Sequence, residues 1–383
     1  MINFEKRLQA LKDRRQGSRE YVIEESMNFY EATAAIRSGI DIRKSEDFEK
    51  LKEPSGVKYS IGAMTPVDKN STKKSINEGN RVADKLITNL NTQGENVTKR
   101  IQGSVALDVH IKGHSDIDML IITTNPVNIE LPAVNPSLYY DSDYQRTLKA
   151  DYQRTLKDIA KDIRNKSEKI LPIIYPDSNI DCAGNKSIAI SGGGLYIKVD
   201  IVPAVWFDSR KYQQSKQEHE RGVKIYHKED HDLLLNYPFT HIKKVHDRDI
   251  NYSGNLKCVI RLMKNMIADM PDAKKKTTRR LTSYDLAAIG YHMNDDLKLP
   301  TCFRLGLVEK TRNHLKFLLD NKNYRESLDV PDGTRKIFDD NGKTEALEIL
   351  TEDFNDLAIS IFKELKPFYS TYDSSVIFNK EIF

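Results

Sequence analysis

Asp116 and Asp118 stand one residue apart in "HSDIDMLIITT", a run that otherwise reads as a buried strand. Strand side chains at i and i+2 point to the same face, so these two carboxylates share one face at close range. Their charges repel, and burial adds to the cost, so such a pair is either exposed or shares a cation. A third carboxylate, Asp200, lies in "LYIKVDIVPA". Period two over 195–202 puts Tyr196, Lys198, Asp200 and Val202 on one face and Ile197, Val199 and Ile201 on the other. Hard divalent cations prefer oxygen ligands, and Mg²⁺ takes carboxylates together with substrate phosphates. Two such ions, roughly 3.5–4 Å apart, clamp the attacking and leaving oxygens of an in-line displacement. Asp116 and Asp118 are the expected bridging ligands of two Mg²⁺ ions, with Mn²⁺ as a substitute. Asp200 is expected to hold the metal beneath an attacking hydroxyl and to help take its proton.

A D-x-D pair alone is a weak signal, since most such pairs are surface or strand-edge residues. Gly103-Ser104 sharpens it. A Gly-Ser turn that opens a helix presents free backbone N–H groups and a hydroxyl to a phosphate, although Ser104 also reads as an ordinary N-cap. Gly-Ser, then a D-x-D strand, then a later strand aspartate is a far sharper combination.

The elements that must position these groups follow from periodicity. Residues 76–95 read as an amphipathic helix with Val82, Leu86, Ile87 and Leu90 on one side. Residues 112–115 form a loop and 116–123 a strand. Residues 138–169 read as one long polar helix, lengthened by an identical repeat, DYQRTLK, at 143–149 and 151–157. Two β-rich runs flank Gly192-Gly193-Gly194 as a hairpin or strand pair. Helices dominate from about residue 251. On a helix over 254–270, Leu256, Val259, Ile260, Met263, Met266, Ile267 and Met270 share a broad apolar side, with Lys257, Arg261 and Lys264 on another. Lys257 reads as solvated, while Lys264 borders the apolar side. "LTSYDLAAIGY" opens with Thr282 or Ser283 as N-cap; Ser283 could then face a triphosphate and Tyr284 stack on a base, or the run is a capped core helix with Tyr284 half-buried. The run from Lys274 to Arg280 reads as a solvated loop, and "VPDGTRKIFDDNGK" at 330–343 as a loop or turn with no assigned chemistry.

Composition narrows the class. The 383 residues suffice for two or three domains. No run approaches the roughly 18 apolar residues of a membrane helix, and the charged N-terminus lacks a signal peptide's apolar core, which predicts a cytoplasmic protein without membrane attachment. Cys182, Cys258 and Cys302 are scattered and form neither a disulfide framework nor a C-x-x-C zinc site. The nine histidines include His110 and His114, which have too few neighbouring ligands for zinc. A formal charge of +4 permits a polyanionic substrate without demanding nucleic acid.

Gly103-Ser104, "HSDIDMLI" and "VDIVPA" together resemble nucleotidyltransferases of the polymerase-beta type. Within that group the chain resembles the branch of oligoadenylate synthases, cyclic GMP-AMP synthase and the bacterial cyclic-oligonucleotide synthases of anti-phage signalling, the DncV-like CD-NTase family. "LNYPFTHIKKVHDRDINYSGNLKCVIRLMKNM" resembles the connector and helix that follow the third aspartate there, and "RLTSYDLAAIGYHM" the next helix. The resemblance covers residues 60–300. It departs from the family in "VALDVHIKGH" after Gly-Ser, where Asp108 is an unusual charge beside a triphosphate. The His-and-cysteine zinc insertion of the animal DNA sensor is absent, which argues against direct activation by DNA and for the bacterial branch.

The resemblance implies an α+β fold: a polymerase-beta-like mixed sheet with flanking helices, residues 1–250, and a helical domain, 251–383, that closes the nucleotide cleft. It implies Lys264 and Ser283 on phosphates and Tyr284 on the base. The expected reaction is attack of a ribose hydroxyl on the α-phosphorus of a nucleoside triphosphate with release of pyrophosphate, repeated until a ring closes. ATP is the first expected substrate, with GTP or a pyrimidine nucleotide as alternatives, and the cyclic product would act through a downstream effector. The alternatives are a non-cyclising transferase, making linear oligoadenylate or modifying RNA, protein or a small molecule, and a degenerate nucleotide-binding module.

Overall fold

A computed structural model describes residues 2–17, 22, 26–38, 43–113, 115–135 and 155–383. Among them, seven strands make one mixed sheet: β1 Val97–Gln102, β2 Ile117–Ile129, β3 Ser178–Asp181, β4 Ile188–Gly192, β5 Val199–Asp208, β6 Gly222–His227 and β7 Asp232–Asn236. β2 and β5 are the parallel centre, rich in Ile and Val, as strands covered on both faces must be. β1 lies antiparallel on the outer side of β2. On the other side of β5, β4 pairs with Val199–Ile201 and β6 with Ala204–Phe207. Pro203 falls in the gap between those two ladders, where its missing N–H is tolerated.

The glycine hairpin is present. Gly192, Gly193 and Gly194 all have positive φ (72°, 59° and 79°), and Leu195 N–H closes the turn on Gly192 C=O at 3.1 Å. That turn consumes the first residues of the expected strand, so β5 starts at Val199 rather than Leu195.

One face of the sheet is covered by α3 (Lys69–Thr92) and α5 (Leu156–Ile174). Val82, Leu86 and Leu90 of α3 and Ile163, Ile170 and Leu171 of α5 share a core with Ile117, Met119, Ile121, Val199 and Ile201. α5 starts inside the second DYQRTLK copy, correcting the single helix expected over 138–169. Thr155 Oγ1 accepts the Asp158 N–H, and Asp158 returns the bond to Thr155 N–H, a capping box that fixes a helix start. The first copy, and 151–154 of the second, lie outside the described residues.

A second body is helical. Its core holds α7 (Asn255–Ala268), α9 (Ser283–Tyr291), α10 (Gly306–Asp320) and α11 (Asn341–Leu365). The same core contains Phe4 and Leu11 of α1 (Phe4–Gln16) and Val57, Tyr59, Ala63 and Met64 of α2 (Ser55–Met64). Arg7 of α1 is buried against Asp353 of α11 at 2.5 Å. The apolar core therefore groups the first helices with the last ones, and a cut at residue 250 does not follow it. The basic run is also corrected from loop to helix: α8 (Asp272–Thr278) follows Pro271, and Lys274 lies 3.4 Å from Asp353. No helix among the described residues is long and apolar enough to cross a membrane.

Candidate active site

The three aspartates meet on the sheet face opposite α3 and α5. Register pairs Asp118 of β2 with Asp200 of β5, and neighbours in a parallel ladder point the same way. Asp116 precedes β2 by one residue and keeps the same phase. Asp118 is the most enclosed of the three. Burial, then the charges of Asp200 and Asp116, push its carboxyl up to about 7. Burial also raises Asp200.

Lys198 sits among these acids. Its Nζ is 2.7 Å from Asp116 Oδ2 and 3.4 Å from Asp200 Oδ1. Burial works against its charge, but the bond to Asp116 and the charge of Asp200 outweigh it and hold the ammonium above its ordinary range. Asp200 Oδ1 is buried and accepts no well-formed hydrogen bond. A buried carboxylate oxygen met only by the Lys198 ammonium at 3.4 Å, inside a cluster of three carboxylates, fits a cation-binding role. Among the described residues no group of acidic, His or Cys side chains converges on one point as a finished metal cage. The carboxylates fit a site shared with substrate oxygens, of the kind Mg²⁺ uses, better than a closed cage.

Gly103 and Ser104 open the short helix α4 (Gly103–Ala106) beside Asp118. Gly103 has φ 74°, and Gln102, just before it, pairs with Asp118 across the β1–β2 ladder. Asp108 ends this turn with φ 58°. Its carbonyl accepts from Arg261 Nη1 at 2.9 Å, while its side chain is exposed and does not line the cavity. The unusual charge thus points away from the site.

The three aspartates, Gly103 and Ser104 line a cavity of about 510 Å³ whose opposite wall is Thr282, Ser283 and Tyr284. Thr282 is the N-cap of α9, with Asp285 completing its capping box. Ser283 is therefore the first helical residue, exposed at the cavity. Lys264 is placed differently from its expected phosphate-facing position. It is 8% exposed and does not line the cavity, and its Nζ is 3.5 Å from Ser115 Oγ beneath the loop leading to Asp116. Burial pushes this ammonium down to about 7, against the pull of Asp118. Lys257 is only partly buried, and Arg261 is tied to the Met64 carbonyl at 2.7 Å. His110 is buried with Nε2 3.1 Å from Thr72 Oγ1, whereas His114 lies outside the described residues.

Sequence reasoning missed Lys186, Asn236 and His241, which also line the cavity. His241 carried a faint signal. On α6 (Pro238–Asn251) it shares a side with Pro238 and Val245, so a polar ring sits on a buried helix face.

No protein-family model matches the chain. It is 34% identical over 327 residues to the cyclic dinucleotide synthase CdnE of Yersinia aleksiciae, covering 84% of this chain and 81% of that protein. It is 31% identical over 314 residues to the c-di-GMP synthase of Lachnospiraceae bacterium strain RUG226, covering 78% and 86%. The solved STING-associated CdnE c-di-GMP synthase from Capnocytophaga granulosa superposes with a TM-score of 0.65 at 25% identity, over 94% of this chain and 99% of that one.

Proposed function

The chain belongs to the CdnE cyclic dinucleotide synthases, nucleotidyltransferases of the polymerase-beta-like fold, and we propose that its cleft joins nucleoside triphosphates into a cyclic dinucleotide or short cyclic oligonucleotide. The observation that carries this reading is the in-register pair Asp118 and Asp200, with Asp116 in the same phase and Ser104 beside them, facing Ser283 across one cavity. Two divalent ions held by Asp116, Asp118 and Asp200 would supply Lewis-acid activation of a ribose hydroxyl and neutralise charge at the α-phosphate. The chain's own groups do the positioning. The N–H groups and hydroxyl of the Gly103–Ser104 turn and the Ser283 hydroxyl hold the triphosphate from two walls. Tyr284 offers its ring to a base. Asp200, with its buried oxygen only loosely paired to Lys198 and its raised carboxyl, is placed to orient the attacking hydroxyl and accept its proton. Lys264 lies one layer back, with its Nζ 3.5 Å from Ser115 Oγ, where it supports the Asp116 loop.

Holding both ends of a linear intermediate in one cleft makes ring closure effectively unimolecular, with effective molarities that can reach about 10⁵ M or more. GTP stands beside ATP as a substrate to test first, because the Lachnospiraceae relative is named for c-di-GMP. The product is proposed to act in the cytoplasm as a messenger in anti-phage defence, received by an effector that binds cyclic nucleotides. The name of the Capnocytophaga neighbour supports that kind of partner. The test is incubation with each labelled triphosphate and Mg²⁺ or Mn²⁺, then alkaline phosphatase and mass measurement. The expected product resists phosphatase and has a mass of whole nucleoside monophosphate units less one water each. Triphosphate-capped linear chains alone, or nucleotide attached to an acceptor, would replace the cyclase reading with a non-cyclising transferase.

A further inference from the structure

The loop over 329–340 has no chemistry in its sequence, yet it reaches the cavity wall. Tyr284 Oη donates to Asp332 Oδ2 at 2.5 Å. The other oxygen of Asp332 accepts from Thr334 N–H at 3.2 Å and Thr334 Oγ1 at 2.9 Å, so the carboxylate is fixed at both ends. Arg335 reaches back to Asp285, the residue after Tyr284, at 2.7 Å, and Lys343 of α11 meets the same oxygen at 3.2 Å. Lys244 of α6 ties the loop from the other side through the Pro331 carbonyl at 2.7 Å. One short loop thus braces the helix that carries Tyr284 and the helix that carries His241.

Those two rings form a stack, with centroids 3.7 Å apart and planes 21° from parallel. Both line the cavity. His241 is 3% exposed, and its Nδ1 has no hydrogen-bond partner. Burial pushes the imidazole down to about 4, so it is neutral near pH 7. Burial and the Asp332 charge raise the Tyr284 phenol well above its ordinary value, so it remains a donor. A tyrosine ring backed by a buried ring at the wall of a nucleotide-sized cavity is a platform for a base.

We propose that Asp332 is a positioning residue for the nucleobase: by holding the Tyr284 phenol it locks Tyr284 and His241 into one stacked wall against which the base lies. An unbraced tyrosine turns about two side-chain bonds and must be ordered when the base arrives. A braced one has already lost that freedom, so more of the stacking energy appears as affinity. His241 is enclosed behind this wall and acts on the base only through its stack with Tyr284. The inference rests on the cleft being the nucleotide site, and its test separates the two ideas.

The measurement compares two ligands, each titrated in the presence of Mg²⁺. One is a fluorescent nucleoside triphosphate, 2-aminopurine riboside triphosphate or its pyrrolocytidine counterpart, whichever the parent binds. The other is inorganic tripolyphosphate, which has no base. Asp332→Ala should weaken the fluorescent nucleotide about tenfold, the scale of one hydrogen bond to a charged acceptor, and reduce its stacking quench. Tripolyphosphate affinity should not change. Asp332→Asn, which keeps an accepting oxygen, should recover most of the loss. Tyr284→Phe, which keeps the ring and removes the donor, should match Asp332→Ala, and the double variant should be no worse than either. In turnover, KM should rise with kcat within about twofold of the parent. If Asp332→Ala does not fold, Tyr284→Phe carries the same test. Unchanged nucleotide binding and quench in these variants, or equal loss of both ligands, overturns the positioning role while leaving the nucleotide site standing. A parent protein that binds neither ligand overturns the nucleotide site, and the proposal with it.

Discussion

A Cβ placed on Gly103 would fall on Oδ2 of Asp118. The glycine also has φ 74°, a region that side chains avoid. Two demands, one on backbone shape and one on the room a carboxylate needs, thus fall on a single residue. Gly103→Ala should lower stability by about 1 kcal/mol or more from the backbone alone. Activity should fall at least on the order of 10²-fold, because the displaced carboxylate is a proposed metal ligand. Product formation beside a thermal melt checks both, and a well-folded variant with parent turnover would remove Asp118 from the chemistry.

The carboxyl of Asp118 gives a pH prediction. Its value in the folded chain, about 7, is above the ordinary 3.8, so the folded state holds its proton longer than the unfolded one. Below about pH 4 both states are protonated and nothing is lost. As pH rises from 4 to 7 the unfolded state ionises first, and metal-free protein loses stability across that window. Asp118→Asn should therefore raise the metal-free melting temperature by several degrees at pH 8 and leave it unchanged at pH 4. Scanning calorimetry in chelator at the two pH values checks the sign, and a lower melting point at pH 8 would contradict it.

Removing charge from the pair should separate folding from turnover. Asp116→Asn combined with Asp118→Asn should give a folded protein whose nucleotidyl transfer is down at least on the order of 10²-fold, and excess chelator should do the same to the parent. Asp200→Asn should abolish linear and cyclic products together, since every transfer uses the same activated hydroxyl. Accumulation of linear intermediate in that variant would show that Asp200 serves ring closure alone.

Ser283 and Lys264, grouped by the helical motifs, should separate in experiment. Ser283 is exposed at the cavity, so Ser283→Ala should weaken triphosphate binding by about 0.5–1.5 kcal/mol with no change in melting temperature. Lys264 is buried among Asp118, Asp116 and Ser115, so Lys264→Ala should shift the melting temperature as well as activity. Calorimetric titration paired with thermal melts resolves the two, and a Lys264→Ala variant with only a binding defect would restore its direct phosphate contact.

What could be read in advance was local. Period two put Asp116 and Asp118 on one face of their strand and Asp200 on one face of its own, and the ladder register brings the two faces together. The N-cap of α9 was narrowed to two residues, and the capping box selects Thr282. A helical wheel put Lys264 at an apolar border but could not say that it would be buried beside Ser115, because that depends on how two bodies meet. The bond from Tyr284 to Asp332 spans 48 residues and joins a helix start to a turn, which no periodicity encodes. The grouping of α1 and α2 with the C-terminal helices was hidden for the same reason: neither stretch names the partner it packs on.

That grouping sets a timetable for biosynthesis. Arg7 meets Asp353 across 346 residues, and Phe4 and Leu11 lie in a core built largely from residues beyond 245. At roughly 5–20 residues per second on a ribosome, α1 emerges about 20–70 s before α11 exists to receive it. The sheet with its three aspartates can be assembled in that interval, but the wall bearing Ser283 and Tyr284 rests on helices made last. A nascent chain thus carries its three carboxylates throughout the synthesis of residues 201–340 without a finished cleft, which is completed only when α11 leaves the exit tunnel and α1 docks on it.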